Sequence, residues 1–310
     1  MELRDRFLGS IVGLAVGDAL GVPFKGRDQG EFPVVTDMRA VPGQSLPRGT
    51  WSDDTSLALC LAESLSEKEG FDARDQMDRY LRWLQDGYLS CAGPGFGLGI
   101  TTGEALRKFA RTGEPFSGPT DPKKAGNGCI MRLAPVPLFY SADPFLAVKK
   151  SAESSRTTHG APTCLDACRY LGGLIVGAML GHSKEVLLSD HYSPVPGYWT
   201  KAPLVGEIEE VASGSFLRKH APEIEGSGYV VKSLEAALWV FATSDSYREG
   251  CLKAVNLGGD TDTTAAIYGQ LAGAFYGIEG IPAEWRSMLE ERDVVEGLAL
   301  RLFNARYRPL

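Results

Sequence analysis

The chain has 310 residues, 44% of them hydrophobic and 23% charged, which is ordinary for a globular protein and enough for a sizeable core. A formal net charge of −7 excludes a broad electrostatic grip on nucleic acid, although a locally positive pocket for a small anion stays open. The 37 glycines follow no period, so they point to tight turns and close helix contacts rather than to a collagen-like or low-complexity segment.

The first expected element is a helix over residues 4–19. Residues 8–17 resemble a short signal-peptide core, but Glu2, Arg4, Asp5 and Arg6 mix both signs ahead of it. Phe7, Ile11, Leu14 and Ala15 recur at i, i+4, i+7 and i+8, the spacing of a core helix rather than an export signal. Helical patterns continue over residues 56–67, 73–86, 101–111, 144–157 and 163–180. Others follow over 205–219, 232–243, 247–255, 263–276 and 282–303. The apolar stretch 171–180 is too short to span a bilayer. The β-branched runs 34–36 and 229–231 are too short to define a sheet, so the expected class is all-α.

Between these helices, Gly93, Gly95, Gly97 and Gly99 punctuate a loop that lacks the Lys-Ser/Thr ending of a phosphate-binding loop; it reads as a flexible connection. Residues 189–203, with Pro194, Pro196 and Pro203, read as a surface excursion. No linker or repeat divides the chain, and residues 1–310 are expected to form one domain. Cys60, Cys91, Cys129, Cys164, Cys168 and Cys251 form no Cys-x-x-Cys pair, and nothing demands a disulfide, so a reducing cytoplasm is the default.

The strongest local signals are two acidic helix starts. Trp51-Ser52-Asp53-Asp54-Thr55 runs directly into Leu57, Ala58, Leu59 and Leu61. Alone, it reads equally well as an N-cap, where Ser and Asp accept hydrogen bonds from free amides and meet the positive dipole end. Gly258-Gly259-Asp260-Thr261-Asp262-Thr263 has the same design: a glycine turn, two carboxylates, hydroxyls, then a helix. Four carboxylates facing one another across a helical bundle are hard oxygen ligands suited to Mg²⁺ or Mn²⁺. The four histidines show no His-x-x-x-His or Glu-x-x-His spacing for zinc or di-iron.

These segments occur in order with Gly17-Asp18-Ala19-Leu20-Gly21, Gly126-Asn127-Gly128-Cys129-Ile130-Met131-Arg132 and Thr158-His159. The set closely resembles the ADP-ribosylglycohydrolase family over roughly residues 5 to 280. That family includes dinitrogenase reductase-activating glycohydrolases and ADP-ribosylarginine and ADP-ribosylserine hydrolases. The resemblance implies a single-domain orthogonal helical bundle with a binuclear Mg²⁺ or Mn²⁺ centre. Carried over by motif, the metal ligands would be Ser52, Asp53, Asp54, Asp260, Asp262 and Thr263, with Ser52 where the family commonly has threonine. Asp53, Asp54 and Asp262 would serve catalysis, one carboxylate taking the proton of the attacking water. Two metal ions would hold the distal ribose and orient that water.

By the same resemblance, the amides of Gly126, Asn127 and Gly128 would cradle the diphosphate and His159 would contact the ligand. From sequence alone those glycines read first as a turn and His159 as a loop residue. Arg132 would brace the loop, and Asp18 would support the metal site from behind. One position departs from the pattern: Lys25 stands where many members carry a glutamate. It is expected at the pocket mouth, binding an anionic ligand, while Asp28 or Glu31 could supply the missing carboxylate. The expected activity is hydrolysis of the glycosidic bond between ADP-ribose and an acceptor, either an ADP-ribosylated protein or a small ADP-ribosyl conjugate. Neither membrane association nor extended nucleic-acid binding is expected. Two rivals stay open: a hydrolase of small ADP-ribose conjugates or nucleoside derivatives, and a catalytically weak ADP-ribose binder that Lys25 permits.

Overall fold

A computed structural model of the chain describes residues 1–40, 43 and 46–307. It is 61% helical with almost no strand, as the all-α reading expects. In chain order the helices are α1 (Leu3–Gly21), α2 (Asp53–Lys68), α3 (Ala73–Asp86), α4 (Ile100–Thr112), α5 (Pro135–Phe139), α6 (Pro144–Arg156), α7 (Pro162–Met179) and α8 (Lys184–Leu187). They continue as α9 (Tyr198–Lys201), α10 (Gly206–Ala212), α11 (Ser215–Arg218), α12 (Val230–Ala242), α13 (Tyr247–Val255), α14 (Thr261–Tyr276), α15 (Ala283–Met288) and α16 (Arg292–Arg306).

The central pair is α1 and α14, apolar nearly all round and buried nearly all along. Leu3–Phe24 is long and apolar enough to cross a membrane, but 94% of its most apolar window is buried inside the protein, as a core helix is. A ladder of small residues lets the two helices touch backbone to backbone. A Cβ added at Gly9, Gly13 or Gly17 would come within 2.3, 2.4 or 2.2 Å of the carbonyl oxygen of Gly273, Gly269 or Ala265. At the end of the ladder, a Cβ on Gly21 would lie 2.3 Å from Asp262 Cα. The four-residue spacing keeps these glycines on one face of α1, so the contact runs along the whole helix. Residues flanking that contact, among them Asp18 and Asp262, are thereby forced together.

Several boundaries differ from the sequence pattern, each for a local reason. Helix α2 starts at Asp53 rather than 56, because Ser52 is its N-cap and both carboxylates fit the positive end of the helix. The expected helix 205–219 is two short ones, interrupted at Gly214, whose φ of 82° is left-handed. The expected helix 282–303 breaks where Glu291 takes φ 50°, separating α15 from α16. Helix α5, absent from the periodicity reading, starts on Pro135 with its fixed φ. The run 34–36 takes no regular structure and Val230 and Val231 open α12. A small ladder pairs Arg27–Asp28 antiparallel with Gly258–Gly259. The 189–203 segment is more packed than a surface excursion: Trp199 is buried and donates from Nε1 to the Tyr192 carbonyl at 3.0 Å.

Candidate active site

The site is assembled where α1, α2 and α14 meet. Asp18, fully buried in α1, takes hydrogen bonds from the start of α2: Ser52 N at 2.9 Å, Ser52 Oγ at 2.9 Å, Thr55 N at 3.0 Å and Thr55 Oγ1 at 2.6 Å. Those bonds pin the first turn of α2, and with it Asp53 and Asp54. The start of α14 is tied to the end of α1 by Thr261 Oγ1, which donates to the Gly21 carbonyl at 2.8 Å. Carboxylate oxygens of Asp18, Asp54 and Asp262 therefore fall within 4.8 Å of one another. Thr263 Oγ1 reaches Asp54 Oδ1 at 3.3 Å and Ser52 Oγ reaches Asp262 Oδ2 at 3.5 Å, so the two acidic helix starts meet across the bundle.

Burial and mutual repulsion act on these acids. Burial, with Asp262 adding to it, raises Asp18 and Asp260 to about 6. Burial raises Asp53 to about 7 against the pull of Lys25, and lifts Asp54 well above the carboxylate range. Two buried oxygens, Asp53 Oδ1 and Asp54 Oδ2, have no hydrogen-bond donor at all. Donor-less buried carboxylate oxygens are costly unless a cation satisfies them. The set thus fits a hard divalent ion, with Asp53, Asp54, Asp260, Asp262 and the hydroxyls of Ser52 and Thr263 as candidate ligands. Asp18 belongs to the cluster by distance, but its oxygens are already occupied by four donors, so it braces the others.

The cap reading of Ser52-Asp53-Asp54 holds in part. Ser52 caps α2, its side chain accepting from Asp54 N at 3.5 Å, whereas the free oxygens of Asp53 and Asp54 are not spent on capping. Lys25 is held beside them by the small ladder and by Gly26 N, which donates to the Gly259 carbonyl at 2.8 Å. It lines the cleft with its side chain 40% exposed, but its ammonium is committed to protein carboxylates. Nζ donates to Asp262 Oδ2 at 2.8 Å and lies 3.7 Å from Asp260 Oδ1. Burial pulls its pKa down, but Asp262, Asp53, Asp54 and Asp260 outweigh that and hold it well above the usual lysine value. Asp28 and Glu31 do not replace the family's glutamate: both are exposed, and Glu31 Oε2 accepts from Asp28 N at 2.9 Å, outside the cleft.

Above the acids lies a cleft of about 370 Å³, walled by Gly97–Thr102, Gly126–Gly128, Met131, His159 and Gly228. That is the size range of small-molecule sites. Asn127 Nδ2 donates to Asp260 Oδ2 at 2.6 Å, so this side chain orients a carboxylate. The amides of Gly126 and Asn127 already donate to the carbonyls of Lys124 (2.9 Å) and Gly228 (3.1 Å). Of the three amides expected to form a cradle, two are therefore occupied by protein carbonyls, and no backbone acceptor is seen for Gly128 among the described residues. His159 packs under the glycines: a Cβ on Gly128 would lie 2.8 Å from its Cε1. Its Nδ1 pairs with Thr158 Oγ1 at 2.9 Å, and burial lowers its pKa to about 4, so the ring is neutral at ordinary pH. Arg132, fully buried, braces the loop by donating to the Gly128 carbonyl and to Thr158 Oγ1, both at 2.7 Å.

Sequence reasoning missed one wall of the cleft. Gly97 sits at φ 92°, and a Cβ there would lie 2.4 Å from Asp53 Oδ1. The glycine-rich loop is therefore a close-fitting cover on the acids, and it also brings Leu98, Ile100, Thr101 and Thr102 to the cleft. Its alternating glycines were the available signal. Ser227 and Ser233, which share Asn127 Nδ2 with Asp260, gave none. The 189–203 segment contributes nothing to the cleft lining among the described residues.

Comparison with known proteins agrees with the motif order. A family model described as ADP-ribosylglycohydrolase matches residues 1–309. An ADP-ribosylarginine hydrolase of Serratia proteamaculans is 36% identical, covering 97% of this chain and 80% of its own length. The ADP-ribosyl-dinitrogen reductase glycohydrolase of Rhodospirillum rubrum is 27% identical, with 94% of each chain covered. A solved structure described as an ADP-ribosylglycohydrolase-related protein complex superposes with a TM-score of 0.85 at 45% identity, covering 99% of both chains.

Proposed function

The chain belongs to the ADP-ribosylglycohydrolase family, and on that premise we propose that it hydrolyses the bond between the anomeric carbon of ADP-ribose and an acceptor side chain. The observation that carries this reading is the convergence of Asp53, Asp54, Asp260 and Asp262 beneath a cleft of nucleotide-binding size, with two buried carboxylate oxygens lacking any donor. The 36% identity to an ADP-ribosylarginine hydrolase favours an arginine-linked substrate, an ADP-ribosylated protein before a small conjugate. Six free cysteines suit a cytoplasmic setting.

The cofactors in this reading are two divalent ions, Mg²⁺ or Mn²⁺, held by Ser52, Asp53, Asp54, Asp260, Asp262 and Thr263. When bound, such ions orient the ribose hydroxyls and acidify a water. The chain's own residues do the rest. Gly128 N–H and His159 bind the nucleotide side of the ligand, and the loop through Gly97 keeps bulk water off Asp53. As the bond from the anomeric carbon to the acceptor breaks, the water oxygen bonds to that carbon. A carboxylate of the Asp53, Asp54 and Asp262 group takes the water's proton, and that proton is returned to the departing acceptor atom, which takes the electron pair of the broken bond. The transition state resembles an oxocarbenium ion, and the surrounding acids stabilise its positive charge.

The test is incubation with arginine-, serine- and nucleobase-linked ADP-ribose in heavy-oxygen water, read by mass spectrometry. Intact ADP-ribose labelled at the anomeric hydroxyl, with an unmodified acceptor, is expected. AMP with a ribose phosphate would mean diphosphate cleavage and would overturn the reaction class.

A further inference from the structure

The two halves of the acidic site are not equivalent. On the α2 side, Asp53 Oδ1 and Asp54 Oδ2 are buried and without a donor. On the α14 side every carboxylate oxygen has a partner. Asp262 Oδ1 accepts from Thr263 N at 2.9 Å and Asp262 Oδ2 from Lys25 at 2.8 Å; Asp260 Oδ2 accepts from Asn127 at 2.6 Å, and Asp260 Oδ1 faces the Lys25 ammonium at 3.7 Å. One half asks for a cation, while the other already has one, covalently part of the chain.

Resting on the divalent centre of the preceding section, we propose that Lys25 is a resident cation that makes metal loading stepwise. A first ion enters at the Asp53 and Asp54 oxygens, and a second binds only by displacing the Lys25 ammonium from Asp262. A divalent ion and an ammonium compete at one carboxylate oxygen, because two cations at contact distance repel and each weakens the hold of the other on that oxygen. Displacement is sterically open. Lys25 follows a single 3₁₀ turn, its side chain is 40% exposed, and its four-carbon stem can swing to water. Lys25 is thus a positioning residue that sets how many ions the site holds at a given concentration.

The experiment is a Mn²⁺ titration of the full chain and of Lys25→Met, by calorimetry and by electron paramagnetic resonance, which distinguishes an isolated ion from a coupled pair. The wild type is expected to bind a first ion at least about 10-fold more tightly than a second. Lys25→Met should tighten the second step by about 10-fold or more, leave the first within a factor of about 3, and give the coupled-pair signal at lower Mn²⁺. Lys25→Gln is the second variant should Lys25→Met fail to fold, and circular dichroism checks both. Two equally tight ions in the wild type, or a gap that neutral variants leave intact, would overturn the proposal while the divalent centre stands. One ion only, in wild type and variants alike, would do the same. No Mn²⁺ binding in any of them would overturn the divalent centre and the proposal together.

Discussion

At the scale of single residues, the site separates groups that hold position from groups left unsatisfied. Asp18 is saturated with donors, whereas Asp53 and Asp54 are buried with free oxygens. Asp54→Asn keeps the shape and deletes the charge. It should lower kcat by at least about 100-fold, the scale of losing a metal-held charge, with an unchanged circular dichroism spectrum. Wild-type turnover in that variant would reduce Asp54 to a helix-start residue. His159 gives a pH prediction of definite sign. Its folded pKa of about 4 lies below the ordinary 6.5, so the unfolded chain binds the proton first as pH falls. The full stability is present above pH 6.5 and is lost as pH drops toward 4, by about 3 kcal/mol from this group alone. Urea unfolding of wild type and His159→Gln between pH 7 and 4 isolates this contribution, since the acids contribute alike to both. Parallel curves would mean that His159 does not titrate as a buried neutral ring.

At the scale of elements, the contact between α1 and α14 sets the distance between the two acidic helix starts. Gly17 faces the Ala265 carbonyl so closely that a methyl group would lie 2.2 Å from it. Gly17→Ala should therefore push the helices apart, costing about 1–3 kcal/mol, and should lower activity at temperatures where the protein is still folded. Gly297, in α16, faces open space, so Gly297→Ala serves as the opposite control. It should stabilise by about 0.5–1 kcal/mol through helix propensity alone and leave turnover unchanged. Thermal unfolding with parallel assays reads both variants; equal tolerance at the two positions would refute the close-contact account.

At the scale of the whole molecule, a cation that binds the folded site and not the unfolded chain should raise stability with concentration. Mg²⁺ or Mn²⁺ at about 100 times its dissociation constant should add about 2.7 kcal/mol, a rise of a few degrees in Tm. A chelator should reverse the rise and remove activity together. A Tm indifferent to both ions, with activity intact in verified metal-free protein, would sink the divalent reading. The coupling is global because the candidate ligands lie far apart in the chain, on α2 and α14, and only the folded bundle brings their carboxylates into one cluster.

The helical class, most helix cores and both acidic helix starts are legible in residue order alone, because apolar spacing, caps and carboxylate turns are local and written in neighbouring residues. Residue order also marks Lys25 as the departure from the family pattern. The contact Lys25 makes emerges only on folding, since its partner Asp262 lies 237 residues away and no local pattern encodes that meeting. The same holds for the loop at Gly97, whose glycine is required by Asp53 across space rather than by its own turn alone. The helix breaks at Gly214 and Glu291 were likewise outside periodicity, which continues across a residue that turns left-handed. Local chemistry specifies which groups a site has available; the close packing of α1 on α14 decides which of them meet, because it fixes distances that chain order leaves free.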